Sequence, residues 1–430
     1  MKRLHRLIAC CTTAACALWA GVAAAQDRAP ALDPAQLMQG FPPPPEYRIH
    51  IGNWQANPQK IWSFQHTREL FPTRRLAPRG PVRALPRAPL ALDQLQVGTP
   101  DAPQTWPQML AATHTDAVLV LHRGRIVDER YFNGMKPESA HLMFSATKSM
   151  VGLMGATLVA EGKLDANARV ATLLPELAGS AWADATVRQV LDMTDGVRFS
   201  ENYTDPKADI YAYVGAMGWA PQYNNPANPT GILGMVGTLK GLHDEPRGSA
   251  FRYRSPATDV AAWLAARAAG QSLTDWLQQR LWSRLGMEHE GNVMLDPQGT
   301  EVAFAGMSTS LRDLGRIGQM LLRRGRVGDA QVIPAAVVDE LIRGGDTRAF
   351  EAAQMPHRKG WSYRSQWWVN PQAPRSFAAM GAYGQRLYIY PEHKVVIAIF
   401  GSHPLPVAAQ VDEPHRRAFA ALLARLQQHR

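Results

Sequence analysis

The spacing of apolar residues changes period along the chain, and each change marks an element. "DAVLVLHRGRIVDERYF" (116–132) is an apolar run, a turn at Arg123-Gly124 and a second, alternating run. That order predicts a β-hairpin. The other clear strand signals come near the far end, in "RLYIYP" (386–391) and "KVVIAIFGS" (394–402), joined by a turn at Pro391-Glu392-His393. A terminal helix follows in "PHRRAFAALLARLQQ" (414–428). Between these ends the pattern is mostly helical. "TKSMVGLMGATLVAEGK" (147–163) is apolar nearly all round, which predicts a buried helix. "TVRQVLDMTDG" (186–196) reads as a short helix with Gly196 at C′. "SPATDVAAWLAARAAGQ" (255–271) and "SLTDWLQQRLWSRLGM" (272–287) read as a helical pair. "STSLRDLGRIGQMLLRRGRV" (308–327) adds another, with Ser310 as cap and Asp313 reaching back to it. Strands at both ends with helices between predict an α/β domain over 96–430. Its antiparallel sheet is built from both termini and flanked by helices, with an all-α insertion at approximately 165–300. Residues 26–95 are rich in Pro, Arg and Trp and lack periodicity, so they predict an irregular but ordered extension that wraps the domain.

Composition adds three constraints. The chain has 430 residues, 46% hydrophobic and 19% charged, which suits a globular protein with a large core. It opens with a basic n-region (Lys2, Arg3, Arg6), an apolar stretch and Ala23-x-Ala25. That order predicts a cleaved signal peptide at 1–25, export to a bacterial periplasm or beyond, and no stable membrane insertion afterwards. "LIAC" (7–10) resembles a lipoprotein box, but little apolar sequence precedes Cys10. The three cysteines (Cys10, Cys11, Cys16) all lie in this segment, so a mature chain would have no cysteine nucleophile and no Cys-ligated zinc. The formal charge is +10, much of it in "RELFPTRRLAPRGPVRALPRAP" (68–89). Its prolines forbid a continuous helix and its arginines lack interleaved aromatics beyond Phe71, so it reads as a solvated strap, not a nucleic-acid surface. No histidine pair has metal-ligand spacing, and no metal site is expected.

The candidate chemistry lies at the start of the buried helix. Ser145 could be a plain N-cap. Lys148 sits one turn on, where residues i and i+3 share a face. A lysine among apolar residues near a helix start has its charge disfavoured, which makes its amine a usable base beside a hydroxyl. The Ser145 N–H points where an oxyanion would form. Ser145 and Lys148 together therefore read as nucleophile and base.

"SATK" (145–148) is followed by "YRS" at Tyr253-Arg254-Ser255 and by the glycine-rich "FAAMGAYGQRLYIYP" (377–391). With these three elements the chain resembles the serine β-lactamase and penicillin-binding-protein superfamily, over roughly residues 100–425. The likeness is to its class C-like branch of carboxylesterases and 6-aminohexanoate-dimer hydrolases. "VRQVLDMTDGVRFSENYTDPKADIYAYVGAMGW" (187–219) resembles the loop that in those hydrolases carries a substrate-contacting tyrosine, here matched by Tyr203. The resemblance implies a β-lactamase/transpeptidase-like fold, an acyl-enzyme on Ser145, and no cofactor. Lys148 and Tyr253 would share the proton, with the phenol's pKa lowered beside the lysine. Ser145 and one of Gly381, Ala382 and Tyr383 would hold the oxyanion, and the substrate would be a small ester or amide. The third motif of true β-lactamases carries a lysine that "AAMGAYGQ" lacks, so acyclic substrates are expected over lactams. A D-alanyl peptidase or lactamase, and a silent binding protein, are the rival readings. His141 reads as packing or as an outer support of the site, since no aspartate partner is visible. Asp192 and Asp195 read as turn and cap residues. Gln385 reads as a pocket or strand residue, and Trp361, Trp367 and Trp368 as strand packing or cleft lining.

Overall fold

The computed structural model describes residues 32–242, 244–406 and 409–428. The segment 1–25, read as a signal peptide, lies outside the described residues, and its three cysteines with it.

The hairpin strands are β1 (Thr115–His122) and β2 (Arg125–Tyr131). The buried helix is α1 (Thr147–Ala160), α2 spans Ser255–Ala269, and α3 spans Leu311–Leu322. The later strands are β3 (Ser362–Arg364), β4 (Trp367–Asn370), β5 (Ser376–Met380), β6 (Arg386–Tyr390) and β7 (Val395–Gly401). The terminal helix α4 is Ala409–Gln428. One seven-stranded sheet runs in the order β2-β1-β7-β6-β5-β4-β3, antiparallel throughout. The N-terminal hairpin thus joins the last strand, as the spacing of the apolar runs implies. Helix α3 covers one face. A Cβ on Gly318 would lie 2.4 Å from Val396 Cγ1, so only glycine lets the helix approach the sheet this closely. Helix α1 packs on α2 and is buried over most of its length, which is why its sequence has no polar face.

A second sheet of four short strands joins Thr73–Leu76, Gly291–Met294, Met307–Thr309 and His141–Leu142. The extension therefore supplies a strand as well as irregular chain, and Gly291–Met294 places a strand near the end of the segment expected to be all helical. Both strands are too short for their period to show, and their ladder partners lie far along the chain. The helix near 186 spans only Val187–Leu191 and ends at Asp192. Gly196 (φ 71°) serves a later turn and is not its C′ residue. Leu273–Leu277 continues as a π turn over Gln278–Trp282, and α4 begins several residues before Pro414. Among the described residues no helix is long and apolar enough to cross a membrane.

Candidate active site

Ser145 does not cap α1. It lies in a 3-10 turn, Phe144–Ala146, just ahead of the helix, and its side chain accepts from no backbone N–H of the first turn. Its Oγ accepts from Lys148 Nζ at 3.1 Å. Phe144, immediately before it, has φ 45°, a left-handed conformation costly for a bulky residue. Such strain persists only where surroundings enforce it. Here the extension does so: Trp54 stacks parallel to the Phe144 ring at 6.2 Å, and Phe64 meets it edge-on at 4.7 Å. Trp54 is itself fixed by a 2.8 Å bond from Nε1 to the Trp219 carbonyl.

Lys148 is buried, and its ammonium has three partners: Ser145 Oγ, Ser255 Oγ at 3.0 Å and the Phe304 carbonyl at 3.0 Å. Burial lowers its pKa to about 8, against the opposing fields of Glu201 and Asp259. The neutral amine is therefore a minor but accessible form at neutral pH. Ser255 passes the contact on. Its Oγ donates to Glu201 Oε1 at 2.6 Å, and its N–H donates to Glu201 Oε2 at 3.0 Å. Burial raises the Glu201 pKa, and Lys148 opposes the rise. Asp259 holds the far side, accepting from Tyr213 Oη at 2.7 Å and from the Phe304 N–H at 3.2 Å. Its pKa is pushed up to about 7 by burial.

Tyr253 lies beside this group, with Lys148 Nζ 5.1 Å from its ring centre. Its hydroxyl interacts with Ser145, but burial first, and then Glu201, push its pKa well above the ordinary phenol value. The expected lowering by Lys148 is corrected: Tyr253 is a neutral phenol here, because desolvation and the charge of Glu201 outweigh the lowering by Ser145 and Arg358.

Three backbone N–H groups were candidates for the second oxyanion donor. Gly381 N–H is bound to the Gln385 carbonyl at 2.9 Å, and Tyr383 N–H reaches the Pro406 carbonyl at 3.4 Å. Among the described residues no acceptor meets the N–H of Ala382 or of Ser145. Gly381 brings the two segments together. A Cβ there would lie 2.2 Å from the Met143 carbonyl oxygen and 3.1 Å from the Ala146 nitrogen, so a side chain would push the strand away from the serine turn.

These groups open onto a cavity of about 490 Å³, walled by Ser145, Glu201, Tyr203, Tyr253, Gly381 and Ala382, with Trp368, Arg358, Arg386 and Asp412 further along. Tyr203 is in the wall, and its hydroxyl donates to Glu201 at 3.3 Å. Tyr383 is not. With φ 62°, it turns its ring onto Phe64 and Phe144, under Lys60 Nζ at 4.4 Å. It belongs to the packing behind the serine. Gln385 is spent on the Gly401 and Ala382 backbone. Trp368 lines the cleft and stacks on Tyr253, ring centres 5.5 Å apart. His141 has an aspartate partner after all, Asp116 at 3.1 Å. Asp116 also accepts from Ser402 and Asn133, and this buried knot ties β1, β7 and the second sheet. Asp195 is more than a cap, since it forms a buried ion pair with Arg254.

The Beta-lactamase family model matches residues 107–422, the span that carries the sheet, the helices and every cavity residue just named. The chain belongs to the Beta-lactamase family. It is 32% identical over 359 residues to a 6-aminohexanoate-dimer hydrolase of Paenarthrobacter ureafaciens, covering 83% of this chain and 88% of the relative. A solved structure from Bacillus anthracis, assigned to the 6-aminohexanoate-dimer hydrolases, superposes with a TM-score of 0.81 at 28% identity, covering 90% of this chain and 99% of the other. A penicillin-binding-protein homologue from Caulobacter crescentus shares the fold alone, at 17% identity and a TM-score of 0.54, over 71% of this chain and 92% of the other. This Beta-lactamase family member is a hydrolase with a β-lactamase-like α/β fold. Sequence reasoning missed Glu201, Asp259 and the Phe304 carbonyl. Glu201 stands two residues before the selected Tyr203, but nothing in a single sequence shows a carboxylate becoming buried against a distant serine.

Proposed function

We propose that the chain is a serine hydrolase of acyclic carboxylic esters or amides, acting through an acyl-enzyme on Ser145. The observation that carries this reading is the buried Lys148 amine, held between Ser145 Oγ and Ser255 Oγ with its pKa brought down to about 8. A neutral Lys148 takes the Ser145 proton as Oγ attacks the carbonyl carbon. The N–H groups of Ser145 and Ala382 donate to the developing oxyanion. As the C–O or C–N bond breaks, the Tyr253 phenol gives its proton to the departing oxygen or nitrogen and is reprotonated from Lys148. Water then attacks the acyl-enzyme with Lys148 again taking a proton, the acid leaves, and Ser145 regains its hydrogen.

The relatives named above support amides as substrates, since a 6-aminohexanoate dimer is a linear amide. Export through a cleaved segment at 1–25 remains part of the proposal on sequence grounds. The test is a panel: a p-nitrophenyl acyl ester, a linear 6-aminohexanoate amide and nitrocefin. Turnover of the ester or the linear amide well above nitrocefin is expected. Nitrocefin turnover equal to the ester would favour a lactamase on the same fold, and inertness to all three would contradict the proposal.

A further inference from the structure

The cavity wall beyond Trp368 carries more positive charge than the protein neutralises. Arg358 and Arg386 both pair with one carboxylate, Asp412: Arg386 Nη2 at 2.7 Å, and Arg358 through its own Nη2. The two guanidinium groups drive the Asp412 pKa down to about 2, so the carboxylate is a full charge at neutral pH. One cation remains uncompensated. The other groups at this end do not cancel it. His357 is held neutral by burial and by Arg358, and Arg252 is paired with Glu245.

The surplus donors are specific. Arg386 spends Nη1 on the Gly381 and Gln385 carbonyls, and its buried Nε meets no partner among the described residues. Arg358 is 8% exposed and lies over the Trp368 indole at 4.2 Å. Among the described residues its Nη1 reaches only the sulfur of Met355, at 3.9 Å. A buried cation without a full set of acceptors is costly. A guanidinium resting on an indole, with one edge on Asp412, keeps donors for a planar anion. Trp368 stacks in turn on Tyr253, so this edge lies one indole away from the reacting groups.

We propose that Arg358, backed by Arg386, is an anion subsite of the catalytic cavity that takes a carboxylate carried by the ester or amide substrate. This rests on the hydrolase reading above.

Two matched ester pairs test it with the purified enzyme. Mono-p-nitrophenyl adipate is set against its methyl ester, with the charge on the acyl side. 4-Butyryloxybenzoate is set against its methyl ester, with the charge on the leaving group. Each kcat/KM is corrected for alkaline reactivity. The charged member of at least one pair should be preferred by roughly ten- to a hundredfold, the scale of one charge-assisted hydrogen-bond pair. Arg358→Met should erase that ratio, and Arg358→Lys should restore part of it. A measurement on the unaltered enzyme guards against misfolding of these variants: hexanoate should inhibit neutral-ester turnover at least about tenfold better than hexanamide. Turnover of both pairs with no charge preference, together with equal inhibition, overturns the subsite and leaves the hydrolase reading intact. No turnover of any ester and no fluorophosphonate label on Ser145 overturns both.

Discussion

Lys148 can act as a base only while its amine is neutral, so the pH profile of the enzyme reports on one side chain. Its pKa is lowered to about 8 by burial, and kcat/KM should rise with pH and level off above that value. Glu201 acts in the opposite direction, since its negative charge favours the ammonium. Glu201→Gln should therefore move the rising limb to lower pH. A rise set near the ordinary lysine value, or a limb that moves to higher pH in Glu201→Gln, would contradict the assignment. At this scale the sequence was informative where chemistry is local. Ser145 and Lys148 sit one turn apart, and an apolar run around a lysine is visible in the string. The charges that act on its pKa were not, because Glu201 and Asp259 come near Lys148 only through tertiary packing. Tyr253 was found by its motif, but its protonation was read wrongly, since burial cannot be judged from spacing.

The extension is the element whose role the sequence left least defined. Its Pro and Trp content announced a wrap, and the wrap proves to be a clamp on the residue before Ser145. Trp54 and Phe64 hold Phe144 in a left-handed conformation that an open chain would leave. Trp54→Ala should cost about 3–5 kcal/mol of stability, the range for truncating a buried aromatic. It should also slow fluorophosphonate labelling of Ser145 in the molecules that remain folded. Thermal unfolding and a labelling time course separate the two effects. A lower Tm with an unchanged labelling rate would reduce the extension to a brace. Four strands of the main sheet, by contrast, were legible, because β1, β2, β6 and β7 are long enough to show their period, whereas β3 and β4 are not. Strands of two to four residues in the second sheet are not.

At the scale of the whole molecule, the terminal helix α4 is tied to the sheet and to the cavity through Asp412. Its folded pKa, about 2, lies below the ordinary aspartate value. A depressed acid pKa contributes stability above the unfolded value, and that contribution is lost as pH falls through the folded one. Asp412→Asn should cost roughly 3–5 kcal/mol at pH 7, as it leaves two buried guanidinium groups without their carboxylate. The cost should shrink as pH drops from about 4 toward 2, which urea unfolding at pH 7 and pH 3 measures. A penalty that does not change with pH would mean the pair is not ionised. The claim on which the rest depends is covalent: an acyl group passes through Ser145. Intact-mass spectrometry of the enzyme quenched during turnover of a p-nitrophenyl ester tests it directly. The account predicts a mass gain equal to the acyl group, mapped to Ser145, absent in Ser145→Ala and nearly absent in Lys148→Ala. Undiminished turnover by Ser145→Ala, or an adduct on any other residue, would contradict it.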